Sequence, residues 1–119
     1  MIVVYGTSSS GNCHKVRMVL DSTGRAYEWR EIDIMQAQTR TPEFLRLNPN
    51  GQVPVVVLED GSALPESNAI LWYFGEGTPL VPDSRLARAR MLRWMFFEQY
   101  SHEPVIAVAR YIRVFLRRP

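Results

Sequence analysis

Residues Asn48 to Ile70, NPNGQVPVVVLEDGSALPESNAI, leave this chain few folds to adopt. They read as a turn, a strand, a tight turn, a second strand and a helix start. Val55 to Leu58 is an apolar, β-branched run of strand length. Asp60-Gly61 is predicted to be a two-residue hairpin turn, because glycine tolerates positive φ. Ser62 to Leu64 then forms a short return strand, closed by Pro65. Glu66-Ser67-Asn68 precedes an apolar run, as a helix N-terminus does.

Two features of that stretch point to chemistry. Val53-Pro54 lies between a Gly-containing turn and a strand, where proline removes a backbone donor. A cis bond there would turn the Val53 N–H and C=O outward, free for an extended peptide. Only about 5% of X–Pro bonds in folded proteins are cis, so local considerations favour trans. Farther along, backbone N–H groups at a helix start attract a carboxylate. Ser67 adds a hydroxyl donor, and Glu66 an anion suited to an ammonium. An α-amino acid presents that pair of charges on one carbon. A capped helix following a hairpin is the plainer reading of the same residues.

The sequence GQVPVV, followed by DG and then PESNAILWYF, resembles the glutathione-binding half of a bacterial-type glutathione S-transferase. The resemblance covers roughly residues 1 to 118 and implies a thioredoxin-like fold. It also implies a cis-proline at Pro54, with the Val53 backbone paired to the cysteinyl unit of glutathione. Glu66 and Ser67 would hold the γ-glutamyl end. In the first loop, GTSSSGN, aligning HKVRMVL with the family's first helix puts Ser10 at the catalytic hydroxyl of serine-type members. Asn12 matches an asparagine of bacterial relatives that reduce disulfides with glutathione. A hydroxyl or amide donor there stabilises thiolate over thiol, and no general base is needed. Ser10 also fits a simple helix cap, and Ser8 and Ser9 are close enough to take its place. Thr39 and Gln52 are candidates for contact with the glycine end of glutathione.

The remaining sequence sets limits. A hydrophobic fraction of 46% with 22% charged residues is that of a globular chain. No apolar run reaches the ~18 residues that span a bilayer. The start, MIVVYG, lacks a signal peptide's basic region and reads as a strand. A single cysteine makes neither an internal disulfide nor a Cys-rich zinc site, so no metal is expected and a cytoplasmic location fits. Eight of the fourteen Lys and Arg residues are arginines from Arg85 onward. They interleave with Leu86, Met91, Leu92, Trp94 and Met95 as the solvated face of amphipathic helices, which argues against nucleic acid.

In chain order the predicted elements are a strand over Ile2–Tyr5, a helix from about Cys13 to Ser22 stopped by Gly24, and a strand over Tyr27–Ile34. A polar connection, MQAQTR, leads to a helix capped by Thr41 with Pro42 in its first turn. The hairpin follows, then a helix from Glu66 to about Phe74. Gly75 to Pro79 closes that domain by composition. Asp83-Ser84 caps a long helix to about Tyr100, Ser101 to Pro104 interrupt it, and Val105 to Arg118 form another. The expected fold is therefore α/β. The resemblance makes it a thioredoxin-like βαβαββα domain over residues 1–77, then a linker and two α-helices of a truncated all-helical domain over 78–119. Apolar residues on more than one face of those helices predict a homodimer or larger assembly.

The resemblance implies an enzyme that binds glutathione as co-substrate and activates its thiolate against a small electrophile or a disulfide. A zeta-type isomerase is weakened because the Ser-Ser-Cys of that group is missing. A non-catalytic transferase-like interaction module is the alternative from another class, although its glutathione motif would be expected to decay. A thiol oxidoreductase working through Cys13 lacks its partner cysteine, and Cys13 is expected to be structural. His14 is expected at the surface.

Overall fold

The computed structural model describes residues 1–119, which divide into two compact units, Met1–Leu80 and Val81–Pro119. Composition placed that boundary between Gly77 and Thr78.

In the first unit, β1 (Ile2–Gly6) pairs parallel with β2 (Tyr27–Glu31) and antiparallel with β3 (Val55–Val57), which pairs antiparallel with β4 (Ala63–Pro65). The sheet order is β2-β1-β3-β4. Side chains alternate across a strand, so β1 serves two faces. Ile2 and Val4, with Val56 of β3, pack against Val16 and Leu20 of α1 (Gly11–Ser22) and Ile70 and Phe74 of α3 (Ser67–Gly75). On the other face Tyr5 meets Phe44 of α2 (Pro42–Leu47) edge-on, with ring centroids 6.3 Å apart. This is the expected mixed sheet with helices on both faces. Pro65 lies in the edge strand, where a missing N–H costs the ladder least.

The helix ends follow their chemistry. The Ser10 side chain caps α1, and Gly24 follows the C-cap with φ +67°. Thr41 caps α2, its hydroxyl accepting from the Phe44 N–H at 3.2 Å.

Three local expectations differ from the structure. The second strand ends at Glu31 rather than Ile34, because Asp33 accepts from the Met35 N–H (2.9 Å) and starts a 3-10 turn over Ile34–Gln36. The hairpin loop has three residues, Glu59–Gly61, rather than two. Leu58 N–H donates to Ser62 O at 2.9 Å, and Gly61, with φ +87°, takes the left-handed position at the end of the loop. The third difference is the Val53–Pro54 bond. It is cis, as the family resemblance implied and against the local preference for trans.

The second unit is helical without a break from Arg85 to Phe115. The expected interruption at Ser101 to Pro104 is a wider turn of helix over Glu98–His102, joining α4 (Arg85–Phe97) to α5 (Glu103–Arg110). Pro104 supplies no N–H and its ring crowds the preceding turn. Widening the turn, with Glu103 N–H donating to Glu98 O five residues back, keeps the backbone helical through it. α5 ends at Arg110 and a second wide turn covers Tyr111–Phe115, short of the Arg118 expected. Neither α4 nor α5 contains a buried residue. Trp94, Phe96, Phe97 and Tyr100 are all exposed. No helix is long and apolar enough to cross a membrane.

Candidate functional site

The site is built where three loops of the first unit leave the sheet. The β1–α1 loop closes as a turn, with Ser10 N–H donating to Thr7 O at 2.9 Å. At its end the Ser10 hydroxyl oxygen accepts from the Cys13 N–H at 3.3 Å. A serine hydroxyl has one proton and two acceptor lone pairs. Capping uses a lone pair and leaves the proton for another acceptor, so the cap and the thiol-activating role are compatible. Ser8 is differently placed: its hydroxyl donates to Glu31 Oε2 at 2.7 Å, which occupies its proton.

Cys13 is fully buried, and its sulfur accepts from the Thr7 N–H at 3.4 Å. Burial pushes the thiol pKa up, against the smaller opposing effects of its bonds to Ser10 and Thr7. A thiol so placed is protonated and shielded, as a structural cysteine is. His14 is exposed.

The second loop carries the cis peptide. Asn48, buried at the end of α2, accepts from the Asn50 N–H (3.1 Å) and donates to Gln52 O (2.9 Å), which fixes the approach to Val53. Pro54 is buried and Val53 half-buried. The β3 ladder begins only at Val55, and no hydrogen bond within the chain engages the Val53 backbone. An extended peptide can therefore pair with Val53 as with a sheet edge. Gln52 is exposed beside it. Thr39 is buried in a 3-10 turn, and its carbonyl backs onto Gly51. The exposed group at that end is Arg40. Its guanidinium lies over Gly51 so closely that an added Cβ would sit 2.8 Å from Nη1. Reading the sequence missed Arg40, because a lone arginine in a polar connection carries no pattern.

The third loop enters α3. Glu66 is its N-cap, with φ +74° and ψ +110°, a conformation that costs a non-glycine residue roughly 1–3 kcal/mol. Its side chain is exposed and makes no cap bond, while its carbonyl accepts the first helical bond from Ile70 N–H. Ser67 is buried at the first turn, and its hydroxyl donates to Asn12 Oδ1 at 3.5 Å. That bond joins the first turn of α1 to the start of α3. It brings together Asn12 and Ser67, fifty-five positions apart.

Glu31 stands outside every motif read from the sequence. Both carboxylate oxygens are engaged, Oε1 by Ser8 N–H (2.8 Å) and Oε2 by Ser8 Oγ (2.7 Å) and Trp29 Nε1 (2.7 Å). The Ser8 amide and hydroxyl and the Trp29 indole hold its pKa below the usual carboxylate value.

A β2-β1-β3-β4 sheet, with a cis-proline before β3 and a strained acidic residue opening α3, defines a thioredoxin-like domain of the glutathione-transferase kind. The family described as "Glutathione S-transferase, N-terminal domain" matches residues 9–76. The chain belongs to the glutathione S-transferase family. A glutathione S-transferase structure from Xanthobacter autotrophicus is 56% identical with TM-score 0.92, the match covering 98% of this chain and 57% of that one. A structure of Ure2p in complex with glutathione is 30% identical with TM-score 0.85, covering 96% and 51%. The transcriptional regulator URE2 of Saccharomyces cerevisiae is 32% identical over 94% of this chain and 34% of its own length. The chain thus spans about a third of the length of the curated relatives it matches.

Proposed function

We propose that this chain binds glutathione along Val53, Glu66 and Ser67 and stabilises its thiolate with Ser10 or Asn12, for attack on an electrophile or a disulfide. The observation that carries this reading is the Ser67–Asn12 bond, which brings the start of α3, proposed to hold the γ-glutamyl end, to the first turn of α1, next to Ser10. The residues present fit the tripeptide. Its cysteinyl amide and carbonyl meet the unpaired Val53 backbone, and its γ-glutamyl ammonium meets the exposed Glu66 carboxylate. The carboxylate at that end takes Ser67 at the start of α3. At the other end the glycine carboxylate meets Arg40, beside Gln52 and close to Thr39. Ser10 then donates its hydroxyl proton to the sulfur, which lowers the thiol pKa without a base. Glutathione supplies the nucleophilic sulfur, and this chain's residues orient and solvate it.

Glutathione titrated calorimetrically into this chain and into a Glu66→Ala, Ser67→Ala double variant tests the site. Micromolar-to-millimolar binding that the double variant loses is the expected result. A folded chain that binds nothing, or a double variant that binds equally well, refutes it. A second reading is supported by the likeness to a transcriptional regulator, namely that the fold serves as a binding module without turnover. Assays with electrophiles and disulfides separate the two once binding is established. The exposed aromatic residues of the helical unit support a homodimer, for which a monomer at micromolar concentration in sedimentation is the contrary result. Cytoplasmic residence accords with the free cysteine.

A further inference from the structure

Between β1 and α1 the chain runs Gly6-Thr7-Ser8-Ser9-Ser10-Gly11, a sequence of small residues with little intrinsic preference for one conformation. A hydroxyl that must point its proton at a sulfur needs that loop fixed to a fraction of an ångström. The fixing comes from the end of β2. Thr7 Oγ1 donates to Ile32 O at 2.6 Å, and Ile32 N–H donates to Gly6 O at 2.8 Å. Ser8 is then held at two points, amide and hydroxyl, by the two oxygens of Glu31.

The carboxylate is itself immobilised. Trp29 Nε1 donates to Oε2, and the Trp29 indole is held between Gly6 and Arg17. An added Cβ on Gly6 would lie 2.5 Å from Trp29 Cη2, and the Arg17 guanidinium sits 4.9 Å from the ring centroid. Glu31 is exposed, so burial does not demand these bonds. The two bonds to Ser8 fall inside the turn that Thr7 and Ser10 close.

We infer that Glu31 is a positioning residue for thiolate stabilisation, splinting the Thr7–Ser10 turn through Ser8 so that the Ser10 hydroxyl faces the glutathione sulfur. This rests on the proposed glutathione site and deepens it, because Glu31 touches neither ligand end but governs the state of the sulfur. Glutathione affinity, carried by Val53, Glu66 and Ser67, should then be separable from thiol activation.

The experiment uses the whole chain and glutathione as probe. Affinity is read by calorimetry and the bound thiol pKa by ultraviolet absorbance of the thiolate against pH, for the parent chain, Glu31→Gln and Ser8→Ala. In Glu31→Gln the affinity is expected within about twofold of the parent while the bound thiol pKa rises by about one unit, a roughly tenfold fall in the ratio of thiolate to thiol at a given pH. Ser8→Ala removes one arm without touching β2, and is expected to shift the thiol pKa the same way by less. Parent-like thiol pKa values in both variants overturn the inference and leave the glutathione site standing. Affinity lost in step with the pKa change also overturns it, since that marks general disruption. If the parent chain binds no glutathione, the site reading falls and takes this inference with it. Should Glu31→Gln fail to fold, Ser8→Ala alone decides by the same comparison.

Discussion

Ser10 has two roles that substitution can pull apart. As the α1 cap it accepts from Cys13 N–H at 3.3 Å, beyond the usual 2.7–3.2 Å range for such bonds. Removing that acceptor in Ser10→Ala is therefore expected at the low end of cap losses, about 0.5–1 kcal/mol of unfolding free energy. As a donor to a thiolate its bond is worth about 1.5–3 kcal/mol, and its loss raises the bound thiol pKa by about 1–2 units. Ser10→Asp separates the two effects. The carboxylate accepts from Cys13 N–H and lies favourably at a helix N-terminus, so stability returns to the parent value or above. It offers no proton at neutral pH and adds negative charge near the sulfur, so the thiol pKa rises further than in Ser10→Ala. Denaturant unfolding and the ultraviolet thiolate titration should rank the three proteins in different orders. If the thiol pKa instead follows stability, with Ser10→Asp like the parent, Ser10 is a cap and nothing more. A rise confined to Asn12→Ala would move the donor role to that amide.

Gly6→Ala drives a Cβ into the pinned Trp29 indole and is expected to cost about 1–3 kcal/mol, with a change in tryptophan fluorescence as the ring is displaced. Unchanged fluorescence and stability would show that the indole yields freely. Cys13→Ser keeps the Thr7 N–H partner and is expected to lower stability by about 1 kcal/mol while leaving turnover nearly intact; complete loss of turnover would place Cys13 in the chemistry. The Ser8 amide and hydroxyl and the Trp29 indole hold the folded Glu31 pKa below the ordinary glutamate value, so its contribution to stability is present above that ordinary value and is lost as pH falls through the folded one. Glu31→Gln should flatten that part of the acid-unfolding curve, and superimposable curves for the two proteins would contradict the assignment.

The elements with strong local patterns were legible. The Thr41-Pro42 helix start, the Ser10 cap and the Val55-Val57 strand each rest on residues within a few positions of one another. The hairpin is legible too, but the Asp60-Gly61 pattern predicts a two-residue loop, whereas Glu59 also stands outside the ladder. The cis state of Pro54 was invisible locally and came through resemblance, since the buried surroundings that hold Pro54 are assembled from distant segments. The splint at Glu31 lay beyond any local pattern. Trp29 is two residues away on the same strand, but Ser8 is brought to Glu31 by parallel pairing of Gly6 with Glu31, a register that exists only once the sheet has formed. The wide turn before Pro104 was misread because proline in a helix can end it or widen it, and sequence spacing favours ending.

Every candidate residue from Ser10 to Ser67 lies within the unit Met1–Leu80. Glutathione binding is therefore a property to be sought in that unit's own loops. A division runs through the relatives, where one name is a transferase and another a transcriptional regulator, and where Ure2p is known in complex with glutathione. Affinity for glutathione consequently does not distinguish an enzyme from a regulator in this fold. The state of the bound sulfur does. A binding module has no need of a hydroxyl donor at the head of α1, or of a carboxylate fixing the turn behind it, whereas both would serve a nucleophile. If Ser10→Ala and Glu31→Gln leave the bound thiol at its parent pKa while affinity persists, the geometry serves recognition alone. If both raise it, the chain is organised around making a thiolate.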